Sequence, residues 1–410
     1  PLDLTQDALR AQELKVDVDG FNTSMEEQRA KARAAWSGSG DAATEAVWFD
    51  VHDKFGATEF IGYTAEHAEG QIVAIVKDGQ LVEEVNAGDD AVILTNQTPF
   101  YGESGGQMGD TGDIHEGDNR FEVVDTAKKL GMLHAHIGRV KSCTFNLEQS
   151  VEMRVDGDRR RRLRANHSAT HVLHEAMRRQ LGEHITQKGS LVAPEKPRFD
   201  VSHPKAISED EIADIERAVN AVIRDNAAVE TRLLSYDAAI EAGAMALFGE
   251  KYDDKVRVLT MGEAAFSKEL CGGTHVARTG DIGLFKIIAE GASSSGVRRI
   301  EAVAGERALA EMQKLERTVR DSAALLKTSG DQLAGRVEQV VTRTRELEKE
   351  IERLKQKLAS GTGNDLSASV QEIAGVKVLA EALDGADGKT LRTAMDKLKD
   401  KLGSAVILLA

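Results

Sequence analysis

Between residues 45 and 155 the apolar residues form short runs that are rich in β-branched side chains. Turn signals such as Asp78-Gly79 and the segment Gly109–Asp113 separate these runs. Several short strands joined by such turns are typical of a small barrel or sandwich. The pattern therefore predicts a small β domain, a barrel or a sandwich, over residues 45–155.

Two other regions follow a helical pattern. Residues 1–40 are rich in helix-favouring residues and predict a helical segment. Residues 159–181 contain neither Pro nor Gly, and strands then alternate with helices. This alternation predicts an α+β layer fold over residues 157–304. Within it, Ser208 followed by Glu211 is the signature of a capping box at a helix start.

A heptad pattern of apolar residues occupies the second half of residues 305–360. Its spacing alternates between four and three, through Leu333, Val337, Val340, Thr344, Leu347, Ile351, Leu354 and Leu358. Such a pattern is typical of a helix that packs along a seam. A break at 328–331 separates it from a first helical arm, so we predict an antiparallel hairpin that serves as a spacer or dimerisation stalk.

The last residues, 365–410, carry one strand–helix–strand pattern. A unit of this size buries little apolar surface by itself. The chain also begins at Pro1 without a Met. We therefore expect it to be a piece of a longer protein that continues at both ends.

Composition narrows the functional classes. The 410 residues include 53 basic and 68 acidic ones, a net charge of −15, which disfavours a protein that grips nucleic acid with its whole surface. Most of the acidic excess lies before residue 150, so we expect a polyanion to contact the later part. No apolar stretch approaches the roughly 20 residues of a membrane span, and no targeting segment is recognisable. Two cysteines suit a reducing compartment, which predicts a cytoplasmic protein.

Four residues in two motifs suggest a metal site. In His167-Ser-Ala-Thr-His171 the imidazoles stand four residues apart, and on a helix they share one face. Cys271-Gly-Gly-Thr-His275 adds a thiolate and a third imidazole on a glycine-rich turn. This donor set suits Zn²⁺ better than Mg²⁺ or Ca²⁺. The alternative is two core or surface histidines with an inert buried thiol.

The role of the metal stays open at this point. Four protein ligands would make a structural site, whereas three and a water would make a catalytic one. The His167 motif lacks the Glu of a metalloprotease helix, so that class is disfavoured. His174 lies on the same face, but seven residues rise about 10.5 Å, too far to share the ion with His167. We expect His174 to lie behind the ligands.

A run of arginines precedes the metal motif, over residues 159–164. Arginine forks match phosphate geometry, although such a run is equally typical of a solvated helix face. The residues that we predict to contact a polyanion are Arg160, Arg161, Arg164, Lys188, Arg298 and Arg299. Aromatic residues make up only 4%, so base stacking is not expected to dominate.

Together these motifs resemble the alanyl-tRNA synthetase family. The resemblance covers nearly the whole chain through Thr98–Gln107, Asn166–His171, Gln187–Ser190, Gly243–Tyr252, Glu269–His275, Thr279–Gly283 and Gly296–Glu301. It implies a helical tail of the tRNA-recognition region, a barrel, an editing domain, a coiled hairpin and a truncated C-terminal domain, at 1–40, 45–155, 157–304, 305–360 and 365–410. The class II catalytic core, with its ATP and alanine pockets, is expected to lie outside the chain.

The fold class implied is therefore α+β and multidomain, with a zinc site in the editing domain and the start of a C-terminal α/β domain. The activity implied is hydrolysis of Ser-tRNA(Ala) and Gly-tRNA(Ala), within a protein that as a whole attaches alanine to tRNA(Ala) using ATP. The family's zinc ligands match His167, His171, Cys271 and His275 in this sequence. The partners implied are tRNA(Ala) and a second copy bound through the C-terminal region, and no membrane.

The resemblance also implies that Thr170 and Gln187 line the amino acid pocket. Serine is larger than alanine, so a site that admits serine cannot reject alanine by size, and it needs a partner for the hydroxyl. Thr170 directly precedes His171 and offers such a partner. Two alternatives remain: a module with structural zinc that docks tRNA or dimerises, and a free-standing editing hydrolase. For the hairpin, the alternative to a spacer or dimerisation stalk is direct contact with tRNA.

Overall fold

The computed structural model describes Gly20 and residues 42–246, 254–383 and 388–410. The helix predicted over residues 1–40 lies, apart from Gly20, outside the described residues. The chain divides into two compact units, residues 1–311 and 312–410. No helix in the described part combines the length and the apolar composition that crossing a membrane requires.

From residue 42, where continuous description begins, the first unit has one helix followed by eleven strands. They are α1 (Ala42–Phe55), β1 (Glu59–Phe60), β2 (His67–Lys77), β3 (Gln80–Val82), β4 (Glu84–Asn86), β5 (Asp90–Thr95), β6 (Gln97–Thr98), β7 (Gly112–Glu116), β8 (Asn119–Lys129), β9 (Leu133–Ser142), β10 (Thr144–Asn146) and β11 (Ser150–Val155). Six of them close a barrel in the order β11-β7-β8-β9-β5-β2, because β11 also pairs with β2. Phe100, Phe121 and Phe145 are fully buried inside it. The predicted barrel is confirmed.

The next ten elements form mixed α and β layers. They are α2 (Gly157–Leu181), β12 (Gln187–Val192), β13 (Pro197–Ser202), α3 (Glu209–Asp225), β14 (Glu230–Ser235), α4 (Tyr236–Glu241), β15 (Lys255–Met261), β16 (Ser267–Leu270), β17 (Phe285–Ser294) and β18 (Val297–Ala304). One antiparallel sheet has the order β12-β13-β18-β17, and another has β14-β15-β16. The capping box of Ser208 and Glu211 is present at the start of α3, as predicted.

Helix α2 carries His167, Thr170 and His171 of the predicted sites. Asp156 caps its start by accepting from the Arg159 backbone N–H at 3.0 Å, and Gly182 ends it with φ +117°. Apolar residues such as Val172 and Met177 anchor the helix in the core. The same helix buries three histidines at four- and three-residue spacing, so its inner face is both apolar and polar.

The barrel contacts this region through its glycine-rich loop. The Val192 N–H donates to the Gly106 carbonyl at 2.7 Å, and the Met108 N–H donates to the Val192 carbonyl at 3.1 Å. A Cβ on Gly106 would lie 2.5 Å from the Ser190 carbonyl oxygen, which leaves space for glycine alone. The loop therefore reaches the end of β12 and the cavity described below.

Helix α5 (Gly305–Leu325) crosses the boundary between the two units. The second unit continues with α6 (Leu333–Asp365), β19 (Gln371–Ile373), β20 (Val376–Glu381), α7 (Gly388–Leu402) and β21 (Ala405–Leu409). Strand β20 pairs antiparallel with β19 and parallel with β21, and Leu379 and Leu398 are buried between sheet and helix. The strand–helix–strand pattern thus forms a small three-stranded sheet with one helix.

Among the described side chains of α6, the heptad pattern does not give a buried seam. Val337, Val340, Leu347, Ile351 and Leu354 are 40–54% exposed. Packing of this seam in an antiparallel coiled hairpin is therefore not found in the described residues. A heptad pattern establishes which face of a helix is apolar, but it does not establish which partner covers that face.

Candidate metal centre

The structure brings the four predicted ligands together from two distant segments. His167 and His171 lie on α2, and Cys271 and His275 lie on the turn that follows β16. One ligand atom from each lies within 4.8 Å of all the others, and Cys271 Sγ is 3.6 Å from His167 Nε2 and 3.2 Å from His275 Nε2. Ligands bound tetrahedrally at about 2.0–2.3 Å are roughly 3.3–3.8 Å apart. The spacing suits one ion.

Hydrogen bonds hold the imidazoles in the orientation that a ligand needs. His167 Nδ1 donates to Gln107 Oε1 at 2.8 Å, and His171 Nδ1 donates to Glu269 Oε2 at 2.7 Å. Since both partners accept, Nδ1 carries a proton in each ring and Nε2 is the nitrogen left to bind an ion. The buried His171 Nε2 has no hydrogen-bond partner. A buried nitrogen left in this state is what a metal would satisfy.

The charges of the cluster also favour a cation. Burial lowers the pKa of His171, but Glu269 and Cys271 outweigh it and raise the pKa to about 10. Burial would raise the pKa of the Cys271 thiol, yet the imidazoles of His167, His275 and His171 hold it well below its usual range. Without an ion, His171 Nε2 therefore holds a proton beside the Cys271 thiolate, and a metal cation would take the place of that proton.

Glu269 is buried and bridges two histidines of α2. Besides His171, it accepts a hydrogen bond from His174 Nδ1 at 3.0 Å. Burial alone would raise the pKa of Glu269, but His171 and His174 lower it to about 2. As expected from the spacing, His174 lies behind the ligand set rather than in it. Glu269 itself was not predicted, although it stands two residues before Cys271 in the motif.

Gln107 of the barrel fixes the turn that carries Cys271. Its Oε1 accepts from the Thr274 backbone N–H at 2.9 Å, and its Nε2 donates to Thr274 Oγ1 at 2.9 Å. A Cβ on Gly273 would overlap the His167 ring and lie 2.9 Å from Gln107 Oε1. Only glycine allows this close approach, which explains one of the two glycines in the motif.

Two further residues that the sequence did not single out support the same turn. Tyr63 of the barrel donates its hydroxyl to the Gly272 carbonyl at 2.8 Å. The Arg257 guanidinium lies over the Tyr63 ring and donates to the Gly273 carbonyl at 3.1 Å. The turn is thus held from the barrel side and from β15, in addition to Gln107.

A cavity of about 210 Å³ adjoins the ligand cluster. Both predicted pocket residues, Thr170 and Gln187, line it together with His167, His171 and Cys271. The Thr170 hydroxyl donates to the Asn166 carbonyl one turn earlier, at 2.8 Å. Its oxygen therefore has lone pairs left with which to accept a hydrogen bond.

Arg160 differs from what its place in the basic run suggested. Its side chain is fully buried and pairs with Asp110, while Nη1 donates to the Gly62 carbonyl at 2.8 Å and Nη2 to the Pro99 carbonyl at 2.7 Å. With no exposed surface it cannot contact a phosphate, so tRNA contact is withdrawn for this residue. The arginine instead joins α2 to the barrel.

The other predicted basic residues lie nearer the surface. Lys188 is exposed on β12. Each of the four arginines pairs with a carboxylate, in the pairs Arg161–Asp158, Arg164–Glu66, Arg298–Glu290 and Arg299–Asp200. Arg161 is the most exposed of these four, at 72% of its side chain. Within the basic run, Arg160 thus forms a buried ion pair, whereas Arg161 and Arg164 form ion pairs nearer the surface.

Comparison with known proteins gives two family matches and a set of curated relatives. A family model described as tRNA synthetases class II (A) matches residues 1–159, and one described as threonyl and alanyl tRNA synthetase second additional domain matches residues 256–301. An alanine–tRNA ligase of Rhizorhabdus wittichii is 55% identical over 99% of the chain, and one of Parvibaculum lavamentivorans is 53% identical over all of it. The chain spans 47% of each relative, about half its length.

Proposed function

The chain belongs to the alanine–tRNA ligase family, and from this premise we propose that it carries an editing site for mischarged tRNA(Ala). The reaction is hydrolysis of the ester in Ser-tRNA(Ala) and Gly-tRNA(Ala). The proposal depends on one observation, the convergence of four metal-type ligands beside a cavity that Thr170 and Gln187 line. The protein as a whole would attach alanine to tRNA(Ala) using ATP.

Zinc is the metal that we propose, held by His167, His171, Cys271 and His275. When bound, it supplies Lewis acidity towards an ester carbonyl. Gln107 and Glu269 keep the Nε2 lone pairs of two imidazoles directed at the ion, through the hydrogen bonds to Nδ1.

Thr170 gives the site its preference for serine. Because its hydroxyl proton is used by the Asn166 carbonyl, Thr170 Oγ1 accepts the hydrogen bond that a serine hydroxyl donates. Alanine has a methyl group there and leaves the acceptor unpaired, which is costly in a buried pocket. Glycine has no side chain to cover the acceptor, so a water can satisfy it there. Gln187 lines the same cavity and positions the ester or the attacking water.

The partners in this proposal are tRNA(Ala) and a second copy of the chain. Arg161 and Lys188 are exposed and carry the proposed phosphate contacts. The exposed apolar face of α6 supports the proposed dimer through the C-terminal region.

Serine release from Ser-tRNA(Ala), measured together with zinc content, tests the proposal. Cys271→Ala should lose zinc and more than about 100-fold in rate, since changing a group that merely supports a ligand already costs about 10- to 100-fold. Cys143→Ala is the matched control, because Cys143 is the chain's other cysteine and is exposed. Full, zinc-independent hydrolysis by the Cys271 variant would contradict the proposal.

Thr170→Val separates the two substrates. Loss of the hydroxyl partner should lower serine release about 3- to 10-fold and leave glycine release nearly unchanged. Glycyl-tRNA serves as the internal control for folding and metal content. An equal loss on both substrates would remove Thr170 as the hydroxyl partner.

A second candidate is a structural zinc in a tRNA-docking module. It is favoured by the four-ligand set, because four protein ligands complete a tetrahedral shell. In that case the zinc-loaded protein binds tRNA(Ala) but releases neither serine nor glycine, and Cys271→Ala lowers stability alone.

A further inference from the structure

A second buried nitrogen in the cavity has no partner, and the metal set does not account for it. His174 lines the cavity and is 2% exposed, and no hydrogen bond reaches its buried Nε2. Among the described residues that line the cavity, His171 Nε2 is the other buried atom in this state. The metal would satisfy His171, but His174 is not in the ligand group.

The neighbours of His174 decide what the atom can bind. Nδ1 donates to Glu269 Oε1 at 3.0 Å, so the proton lies on Nδ1 and Nε2 offers a lone pair. Phe199 meets the imidazole edge-to-face with ring centroids 5.3 Å apart, and this contact limits rotation of the ring. A fixed, unpartnered acceptor on a residue that lines a cavity calls for a ligand that donates a hydrogen bond.

We propose that His174 Nε2 accepts a hydrogen bond from the α-ammonium of the aminoacyl group, which makes His174 a substrate-binding residue. This inference rests on the proposed editing function. Seryl and glycyl esters both carry this ammonium, which has three donors and no acceptor.

Among the described residues, Glu269 is the carboxylate that lines the cavity, and each of its oxygens already accepts a hydrogen bond from a histidine, His171 or His174. The negative charge of Glu269 therefore acts on the ligand through the His174 ring, by polarising Nε2. The serine hydroxyl, in contrast, already has Thr170 as its acceptor.

Two variants test the roles of the two ring nitrogens of His174 separately. In His174→Asn the amide nitrogen can replace Nδ1 as the donor to Glu269, and nothing remains at the Nε2 position. In His174→Gln the amide oxygen reaches the Nε2 position, but the bond to Glu269 is lost. His67→Asn is the control, since His67 is an exposed histidine on β2.

The experiment measures kcat/KM for seryl-, glycyl- and acetyl-tRNA(Ala), each divided by its uncatalysed hydrolysis rate. Acetyl-tRNA is the glycyl ester without its α-amino group. His174→Asn should lower kcat/KM about 10- to 100-fold on both aminoacyl esters and leave the acetyl ester unchanged. His174→Gln should keep more of the preference for glycyl over acetyl, and His67→Asn should match the wild type.

Three results on an active wild type would overturn the inference. They are no loss in His174→Asn, a loss confined to the seryl ester, and an equal loss on the acetyl ester, which would indicate a role in folding or metal binding. Zinc content and the unfolding midpoint are measured on each variant. If His174→Asn unfolds, an equal loss on glycyl and acetyl esters in His174→Gln overturns the inference. A wild type that hydrolyses no ester overturns the proposed function, and this inference with it.

Discussion

Two buried histidines, one in the barrel and one on α2, differ in whether their Nε2 atom has a hydrogen-bond partner. His136 is bonded at both ring nitrogens, Nδ1 with the Ile93 carbonyl at 2.8 Å and Nε2 with Thr98 Oγ1 at 2.7 Å. His171 is bonded at Nδ1 alone, and its buried Nε2 has no partner. A buried polar group with all its hydrogen bonds made is part of the fold, whereas one left incomplete beside similar atoms indicates a ligand site.

The same comparison separates neighbours in the arginine run. Arg160 is buried and its guanidinium is satisfied by one carboxylate and two carbonyls. Arg161, the next residue, is exposed and pairs with an equally exposed Asp158. Helical phase puts consecutive residues on different faces, so one arginine is structural and the other is available at the surface.

The largest expected effect follows from removing the buried ion pair between Arg160 and Asp110. Arg160→Met leaves Asp110 buried without its partner, which should lower the free energy of unfolding by about 3–5 kcal/mol. Arg161→Met, an exposed pair, should change it by less than about 0.5 kcal/mol. Denaturant unfolding of both variants tests the contrast. If Arg160→Met is as stable as Arg161→Met, the Arg160–Asp110 ion pair does not stabilise the fold.

The next effect concerns how the free energy of unfolding changes as the pH falls, through His136 in the barrel. Burial lowers the pKa of His136 from 6.5 to about 4, so the folded state binds fewer protons than the unfolded state between these values. The histidine's contribution is therefore complete above pH 6.5 and is lost as the pH falls to about 4, by about 3 kcal/mol. His136→Gln should flatten this part of the pH–stability curve.

Exposed His67 on β2 provides the control for this pH dependence. His67→Gln should leave the pH–stability curve as it is in the wild type. A His136→Gln protein that loses the same stability between pH 6.5 and 4 as the wild type would show that another group titrates there.

A smaller effect tests whether the barrel completes the metal centre. Gln107→Ala removes the acceptor at His167 Nδ1 and both contacts with Thr274. Zinc affinity, measured by competition with a chelator, should fall about 10- to 100-fold. Gln80→Ala, at an exposed glutamine of the same barrel, should leave it unchanged. Equal affinities in the two variants would make the centre independent of the barrel.

The smallest effect concerns the exposed arginine. If Arg161 contacts a phosphate, Arg161→Gln should reduce the slope of log binding constant against log salt by about 0.7–0.9 for tRNA(Ala). The matched control is Arg120→Gln, an exposed arginine of the barrel that is likewise paired with a carboxylate. An unchanged slope would return Arg161 to the role of a solvated surface charge.

The sequence alone determined the local features of this protein. The short strands between residues 45 and 155, the capping box of Ser208 and Glu211, and the pairing of imidazoles at residues 167 and 171 follow from periodicity and from side-chain chemistry over a few residues. The ligand types also follow from the sequence, because a thiolate with three imidazoles suits a narrow set of metals. None of these inferences needs knowledge of distant contacts.

Tertiary structure alone decided which polar groups were satisfied. Gln107 meets His167 across 60 positions of the chain, Glu269 meets His171 across 98, and Asp110 meets Arg160 across 50. It also decided that the heptad face of α6 stays exposed. Local pattern establishes what a residue can do, but the burial and the partner that select one of its roles depend on segments that only folding brings together.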